Sequence, residues 1–237
     1  FAYYTLREAC GFAPVPHAPR VQAWLRDHAH TFAPLLGVDL RTTPVAPLDF
    51  SAGSPLISSE PEENAPDALD ARVRRVLAEH GATIGVGGYG EARLIYHWPN
   101  EPVTIEPRTM HMGLDLSLSA GAPLYAPLDG VVHGFENATG YHDYGPLIVL
   151  RHETSHDPPL PFYTVYGHLA LESLEGLAVG QRITQGQLFA RIGSAPTNGH
   201  WWEHVHVQLV TDMLDVPCNV DGAVRASQHR VWRSLFL

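Results

Sequence analysis

The feature that most constrains the fold is a series of short apolar segments that follow one another closely between residues 103 and 210. Clusters of Gly, Pro, Asn and Asp separate these segments, and no helical periodicity lies between them. Strands at such close spacing, with turn residues between them, are typical of an all-β sandwich or barrel-like domain. The segments predicted as strands are Leu114–Leu118, Pro123–Pro127, Gly130–Phe135, Leu147–His152, Phe162–His168, Gln187–Ile192 and His204–Val210.

Two short helices are predicted ahead of this β region. One begins at Pro19 and carries apolar residues at helical spacing as far as Leu25. The other has an apolar stripe of Leu69, Val73, Val76 and Leu77, with Asn64 or Asp67 as candidate caps and Gly81 as the stop signal.

Between and after these helices the sequence predicts less regular structure. Residues 42–66 contain five prolines among Ser, Glu and Asn, which indicates a linker or an extended arm on a surface. Residues 82–96 have apolar residues on both sides of a glycine-rich turn, which predicts a β-hairpin. We therefore divide the chain into an N-terminal approach segment with two short helices and a Pro-rich linker (1–81), a β domain (82–215) and a C-terminal extension (216–237).

Composition limits the classes of partner and the compartment. All 15 basic side chains are arginine and the formal net charge is −10, which argues against nucleic acid or a membrane surface as the main partner. No apolar run is long enough to span a bilayer, and the N-terminus lacks the pattern of a signal peptide. Cys10 and Cys218 are predicted to be free thiols. We expect a cytoplasmic location, or the cell envelope if the full-length protein carries an export signal.

The chain has 15 histidines, and three short motifs in the β region combine some of them with a carboxylate: HMGLD at 111–115, YGHL at 166–169 and HVH at 204–206. On a strand His204 and His206 face the same side, roughly 6–7 Å apart. His111 and Asp115 would lie about 13 Å apart on a straight strand, but Gly113 permits a bend that brings them together. Two imidazoles and one carboxylate, with a fourth position open, form the ligand set of a catalytic zinc site.

These motifs also have a wider resemblance, together with GAPLYAPLDGVV at 121–132 and GQRITQGQLFARIG at 180–193. Residues 108–210 resemble the lysostaphin/LytM-type zinc metallopeptidases. The resemblance implies a barrel-sandwich β domain that binds zinc through His111, Asp115 and His206. It also implies that His168 and His204 flank the metal-bound water, one as general base and the other as oxyanion stabiliser. Members of this family cleave peptide bonds, most often in bacterial cell walls.

Two features bear on the substrate. Glu203 precedes the HVH motif where this family usually has a small residue or proline, so extra negative charge is expected beside the site. The flanking sequences, such as WLRDHAHTFAPLL and YGEARLIY, resemble the central part of large bacterial polypeptides that place this domain between a phosphotransferase and a class III aminotransferase. That resemblance implies a small peptide or amide-containing substrate passed between neighbouring domains.

Three hypotheses therefore follow from the sequence. The first is a zinc-dependent hydrolase of a peptide or amide bond. The second is a non-catalytic or self-inhibited scaffold of the same fold, in which either the five site positions need not converge or the N-terminal segment, residues 42–66 included, covers the site. A cupin-type metal enzyme ranks last, because no glutamate follows the HVH motif at the required spacing. His142, His156, Trp201 and Trp202 are further candidates to line a groove.

Overall fold

The computed structural model describes residues 15–96 and 106–236, and this part of the chain is mainly β with helices at its N-terminal side. The helices are α1 (Ala18–His28), α2 (Pro66–Glu79) and the short α3 (His229–Trp232). The strands are β1 (Val45–Leu48), β2 (Ile84–Gly87), β3 (Arg108–His111), β4 (Leu114–Ser117), β5 (Pro123–Tyr125), β6 (Gly130–Ala138), β7 (Gly145–Glu153), β8 (Pro161–Gly167), β9 (Arg182–Ile183), β10 (Leu188–Arg191), β11 (His204–Val210) and β12 (Ala223–Arg225). Every strand predicted from the sequence between residues 114 and 210 is confirmed, with ends that differ by at most three residues.

One eight-stranded sheet organises the molecule. Its strand order is β1-β2-β4-β11-β8-β7-β6-β9, and only the β1–β2 pair is parallel. Two smaller two-stranded sheets, β5–β10 and β3–β12, complete the architecture. The expected mainly β domain, with a helical and extended region ahead of it, is therefore confirmed.

The centre of the sheet is buried on both faces, as β7 shows. Leu147 and Val149 pack into one apolar cluster, whereas Ile148 and Leu150 pack into another, and all four are fully buried. This explains why the sequence has a continuous apolar run here instead of the alternation of a half-exposed strand.

Both predicted helices are present. In α2 the apolar stripe faces inward, with Leu69 and Val73 buried. The N-cap residue is Ala65 rather than Asn64 or Asp67, and no side chain caps the helix. Gly81 follows the helix end with φ +59°, the left-handed conformation that a glycine adopts at little cost.

The Pro-rich segment is only partly a linker. Within residues 42–66, strand β1 pairs in parallel with β2 and forms one edge of the main sheet, with Ala46 and Leu48 buried. Prolines are compatible with such an edge strand because one side of it needs no ladder hydrogen bonds.

The predicted hairpin over 82–96 is wrong in its second half. Residues 94–96 form a turn of 3-10 helix, and β2 pairs with β1 and β4 instead. The returning chain runs beside β3, where the Arg93 N–H donates to the Thr109 carbonyl at 2.7 Å. Strands that are distant in sequence occupy both edges of β2, which local periodicity does not reveal.

No helix in residues 15–96 or 106–236 is long and apolar enough to cross a membrane. Cys218 is buried. Cys10 lies outside the described residues, so the prediction of free thiols is untested for that residue.

Candidate metal centre and cleft

A bend between β3 and β4 brings the HMGLD motif to one point. His111 ends β3 and Asp115 lies in β4, with Met112 and Gly113 at the bend. Asp115 lies directly opposite His206 of β11 in the antiparallel pairing. The backbone register of the sheet therefore sets the positions of these three side chains.

Three potential ligand atoms meet there. His111 Nε2 lies 3.0 Å from His206 Nδ1, and each of these nitrogens lies 3.2 Å from Asp115 Oδ1. All three residues are buried. The structure thus brings together the three residues that were expected to bind zinc.

The outer nitrogens of both imidazoles face oxygen acceptors. His111 Nδ1 lies 2.9 Å from the Gly88 carbonyl oxygen, so this nitrogen carries the proton. His206 Nε2 lies 3.0 Å from the Gln208 side-chain oxygen, which also accepts from the Tyr144 hydroxyl at 3.2 Å. His111 Nε2 and His206 Nδ1 therefore each carry a lone pair, and these lone pairs point at each other and at the Asp115 carboxylate. This arrangement cannot be satisfied by hydrogen bonds, but it fits a cation, and oxygen partners of this kind orient histidine ligands in metal sites.

The protonation states of His111 and Asp115 are those that a metal site requires. Burial, assisted by Arg93, lowers the pKa of His111 to about 4, so its imidazole is neutral at pH 7. Burial opposes ionisation of Asp115, but the Arg93 guanidinium, which contacts its Oδ2, helps to hold the pKa of this carboxyl well below 3.8. A neutral imidazole and an ionised carboxylate are the states that bind a metal.

The two candidate catalytic histidines lie beside this group. The ring centroids of His168 and His204 are 4.4 Å apart. Their Nδ1 atoms lie 2.9 Å and 2.8 Å from the backbone carbonyls of Asn198 and Trp202, which leaves each Nε2 as a lone pair. Burial lowers the pKa of His204 to about 4 and that of His168 well below its ordinary value. Both are therefore neutral proton acceptors at pH 7.

Two tryptophans have different roles around these histidines. Trp202 is buried and stacks on His204 with centroids 4.0 Å apart, and its indole N–H donates to Ser117 at 2.9 Å. Trp201 lines the cleft, stacked against His142 at 3.9 Å. Of the two further histidines considered, His142 lies at the cleft and His156 lies elsewhere, in a depression beside Trp24.

A cleft of about 340 Å³ opens above the group, with His168 and His206 among its lining residues. Its other lining residues come from the loops around the sheet and from the C-terminal extension: Tyr96, Glu106, Arg108, Tyr141, His142, Asp143, Tyr144, Trp201, Asn219, Asp221, Gly222, Ala223 and Arg225. The C-terminal extension thus forms one wall of the cleft. No residue of 42–66 lines it.

Glu203 does not add an unpaired charge to the site. Its carboxylate lies 3.3 Å from Arg74 of α2, and its backbone N–H donates to Asp70 of the same helix at 3.0 Å. The carboxylate of Glu203 is therefore paired with an arginine of the helix that precedes the β domain, although the same helix places a second carboxylate, Asp70, beside it.

Sequence reasoning missed Arg93. This side chain is completely buried and contacts Asp115 through its guanidinium. Burial disfavours its charge, but Tyr96, Asp115 and Glu91 outweigh burial and raise its pKa above the ordinary value. The available signal was an arginine within an apolar, glycine-rich stretch of a chain that has few charges.

Comparisons with known proteins agree with the site. Residues 109–217, slightly less than half of the chain, match Peptidase family M23. The match supports an M23 peptidase domain over this segment, which contains all five predicted site residues.

Individual relatives are more distant. The chain is 28% identical, over 69% of its length, to a Haemophilus influenzae protein named an uncharacterized metalloprotease, of which it spans about a third (34%). It is 27% identical to a zinc containing peptidase from Vibrio cholerae, covering 52% of this chain and 32% of that one with a TM-score of 0.35. It is 21% identical to the catalytic domain of lysostaphin from Staphylococcus simulans, covering 59% and 87% with a TM-score of 0.34.

Proposed function

We propose that this protein is a zinc-dependent hydrolase that cleaves a peptide or amide bond. The observation that carries the proposal is the convergence of two imidazole lone pairs and one carboxylate oxygen, 3.0–3.2 Å apart, beneath a cleft. His111, Asp115 and His206 would hold the ion. The match to Peptidase family M23 supports the same reaction class.

A zinc ion held by His111, Asp115 and His206 would supply a Lewis acid that polarises the scissile carbonyl and would lower the pKa of a bound water to about 7. The chain itself supplies the proton transfer. Nε2 of His168 or of His204 accepts a proton from the attacking water, and the protonated imidazole returns it to the leaving amine. The carbonyls of Asn198 and Trp202 hold the two rings in the required tautomer.

The cleft supports a small substrate. Its volume of about 340 Å³ is at the lower end of the range of ligand pockets, about 300–1,000 Å³. We propose a short peptide or an amide-containing amino compound, exchanged with phosphotransferase and aminotransferase domains of the same polypeptide. The support for these neighbours is the resemblance of the flanking sequences.

Metal content tests the proposal first. Purified protein is expected to hold about one zinc per chain, and His206→Ala is expected to lose it, because a nitrogen ligand is gone. His30→Ala removes an exposed histidine from the helical region and serves as the matched control. A folded wild-type chain that binds no zinc would contradict the proposal.

A measurement of catalytic turnover distinguishes the hydrolase from a non-catalytic scaffold of the same fold. His168 supplies no ligand atom to the metal group, so His168→Ala is expected to retain zinc but to lose roughly 10²–10⁴-fold in the rate of peptide hydrolysis. Oligoglycine and stem-peptide analogues are suitable substrates, with a mixed dipeptide library to cover smaller ones. Zinc-loaded wild-type protein without activity on any of these, with or without residues 1–44, would favour the scaffold.

A further inference from the structure

Arg93 is a buried arginine whose position is fixed by contacts with its backbone and its side chain. Its side chain has no exposed surface, and backbone hydrogen bonds at Gly90, Glu91 and Arg93 itself fix this part of the chain to β3. A buried guanidinium is costly unless each of its sides finds a partner.

The guanidinium is shared among three polar groups. Its Nε and Nη2 donate to one oxygen of Glu91 at 2.9 Å and 2.8 Å. Its Nη1 donates to the Tyr96 hydroxyl at 3.2 Å and to Oδ2 of Asp115. The face of the group lies 4.9 Å from the ring centroid of Phe50.

A glycine provides the space for this arrangement. Gly87 lies directly opposite Asp115 in the β2–β4 pairing. A Cβ at Gly87 would lie 3.0 Å from Arg93 Nη2 and 3.2 Å from the Phe50 ring. The sheet therefore leaves a gap beside the carboxylate, and the guanidinium occupies it.

We infer that Arg93 is a positioning residue for the metal centre, holding Asp115 by Oδ2 so that only Oδ1 faces the two imidazoles. The inference rests on the proposed function in so far as it assumes that the centre binds zinc. The two oxygens of Asp115 are divided between these partners: Oδ1 lies 3.2 Å from each ligand nitrogen, and Oδ2 is bound to Arg93. A carboxylate held in this way binds an ion through one oxygen and does not rotate away when the ion leaves.

Electrostatic repulsion is the competing effect. A cationic side chain near the ion weakens metal binding, and removing it would then tighten binding. Glu91 lies on the other side of the guanidinium and pairs with it at 2.8 Å, which offsets this charge. Orientation of Asp115 is therefore expected to dominate, and removal of partners of this kind commonly costs 10–100-fold in metal affinity.

Zinc affinity, measured by competition with a chelator at fixed pH, tests the inference without reference to activity. Arg93→Met is expected to weaken zinc binding by about 10–100-fold. Arg93→Lys is expected to lie between Arg93→Met and wild type, because an ammonium can bind Oδ2 but cannot reach Glu91 in the same way. Arg151→Met removes an arginine that pairs with Glu153 on the surface, so it is the matched control with unchanged affinity.

A spectroscopic measurement distinguishes positioning from general stability. In cobalt-substituted Arg93→Met, Asp115 is free to bind through both oxygens, so the visible absorption is expected to weaken as the coordination number rises. If Arg93→Met does not fold, the same two measurements on Arg93→Lys decide the question. Wild-type zinc affinity in the folded Arg93 variants would overturn this inference alone, even if their thermal stability falls. Absence of zinc binding in the wild type would overturn the proposed function as well.

Discussion

At the scale of single residues, a glycine determines whether His206 can take its position. Gly113 has no positive φ, so it is not required for an unusual backbone conformation. A Cβ there would instead lie 2.5 Å from Cε1 of His206 and 2.7 Å from the Val207 carbonyl oxygen. The sequence predicts that Gly113 permits the bend between His111 and Asp115. The structure adds that the bend must also leave room for the third ligand.

Gly113→Ala is therefore expected to displace His206 and to lower zinc affinity by at least about 10-fold, within the range for disturbed ligand geometry. The added methyl group is also expected to cost about 1–3 kcal/mol in stability. Chelator competition and thermal unfolding measure the two effects. Gly140→Ala is the control, since the atoms nearest to its Cβ would all belong to the half-buried side chain of Asp143, which is not one of the three ligands. Wild-type affinity in Gly113→Ala would show that the ligand strand adjusts freely.

At the scale of elements, α2 is part of the structure that holds the site. Leu69 and Val73 share one apolar cluster with Phe50, Trp201 and Trp202. Trp202 in turn stacks on His204. A helix that the sequence suggests belongs to a separate approach segment thus packs against the residues that support a candidate catalytic histidine.

Leu69→Ala is expected to destabilise the protein by about 2–5 kcal/mol, because it leaves a cavity in the apolar cluster that contains both tryptophans. Unfolding is expected to remain a single transition, since the helix and the sheet share this core. Arg75→Ala, on the exposed face of the same helix, is expected to change stability by less than about 0.5 kcal/mol. Two separate transitions in the Leu69→Ala variant would indicate that α2 is an independent unit.

At the scale of the whole molecule, burial of neutral histidines makes stability depend on pH. Burial lowers the pKa of His142 and of His204 to about 4, whereas an unfolded chain titrates near 6.5. Between these values the unfolded state binds more protons than the folded state. The contribution of these histidines to the free energy of unfolding therefore falls as the pH falls from about 6.5 to about 4, and this contribution levels off below that range.

For metal-free protein, each such histidine is expected to contribute on the order of 2–3 kcal/mol to this loss. Denaturant unfolding at several pH values measures the slope. His142→Gln is expected to make the slope shallower, whatever its effect on stability at pH 7, because one buried titrating group is gone. A free energy of unfolding that does not change between pH 6.5 and pH 4 would contradict the assignment of these histidines as buried and neutral.

The sequence by itself determined the β-rich fold and predicted the residues of the candidate site, which the structure brings together. Alternating apolar segments and their turn residues reflect local backbone preferences, and side-chain alternation on a strand placed His204 and His206 on one face. Both properties depend on neighbours in sequence, so they can be read from it.

Only the tertiary structure decided how distant segments complete the site. The pairing of β1 with β2, the C-terminal wall of the cleft, the contact of Arg74 with Glu203 and the contact of Arg93 with Asp115 all join residues far apart in sequence. Burial and strand register create these contacts. Neither leaves a local pattern in the chain, so the sequence predicts a linker or an extended arm where the edge strand lies and does not assign Arg93 to the site.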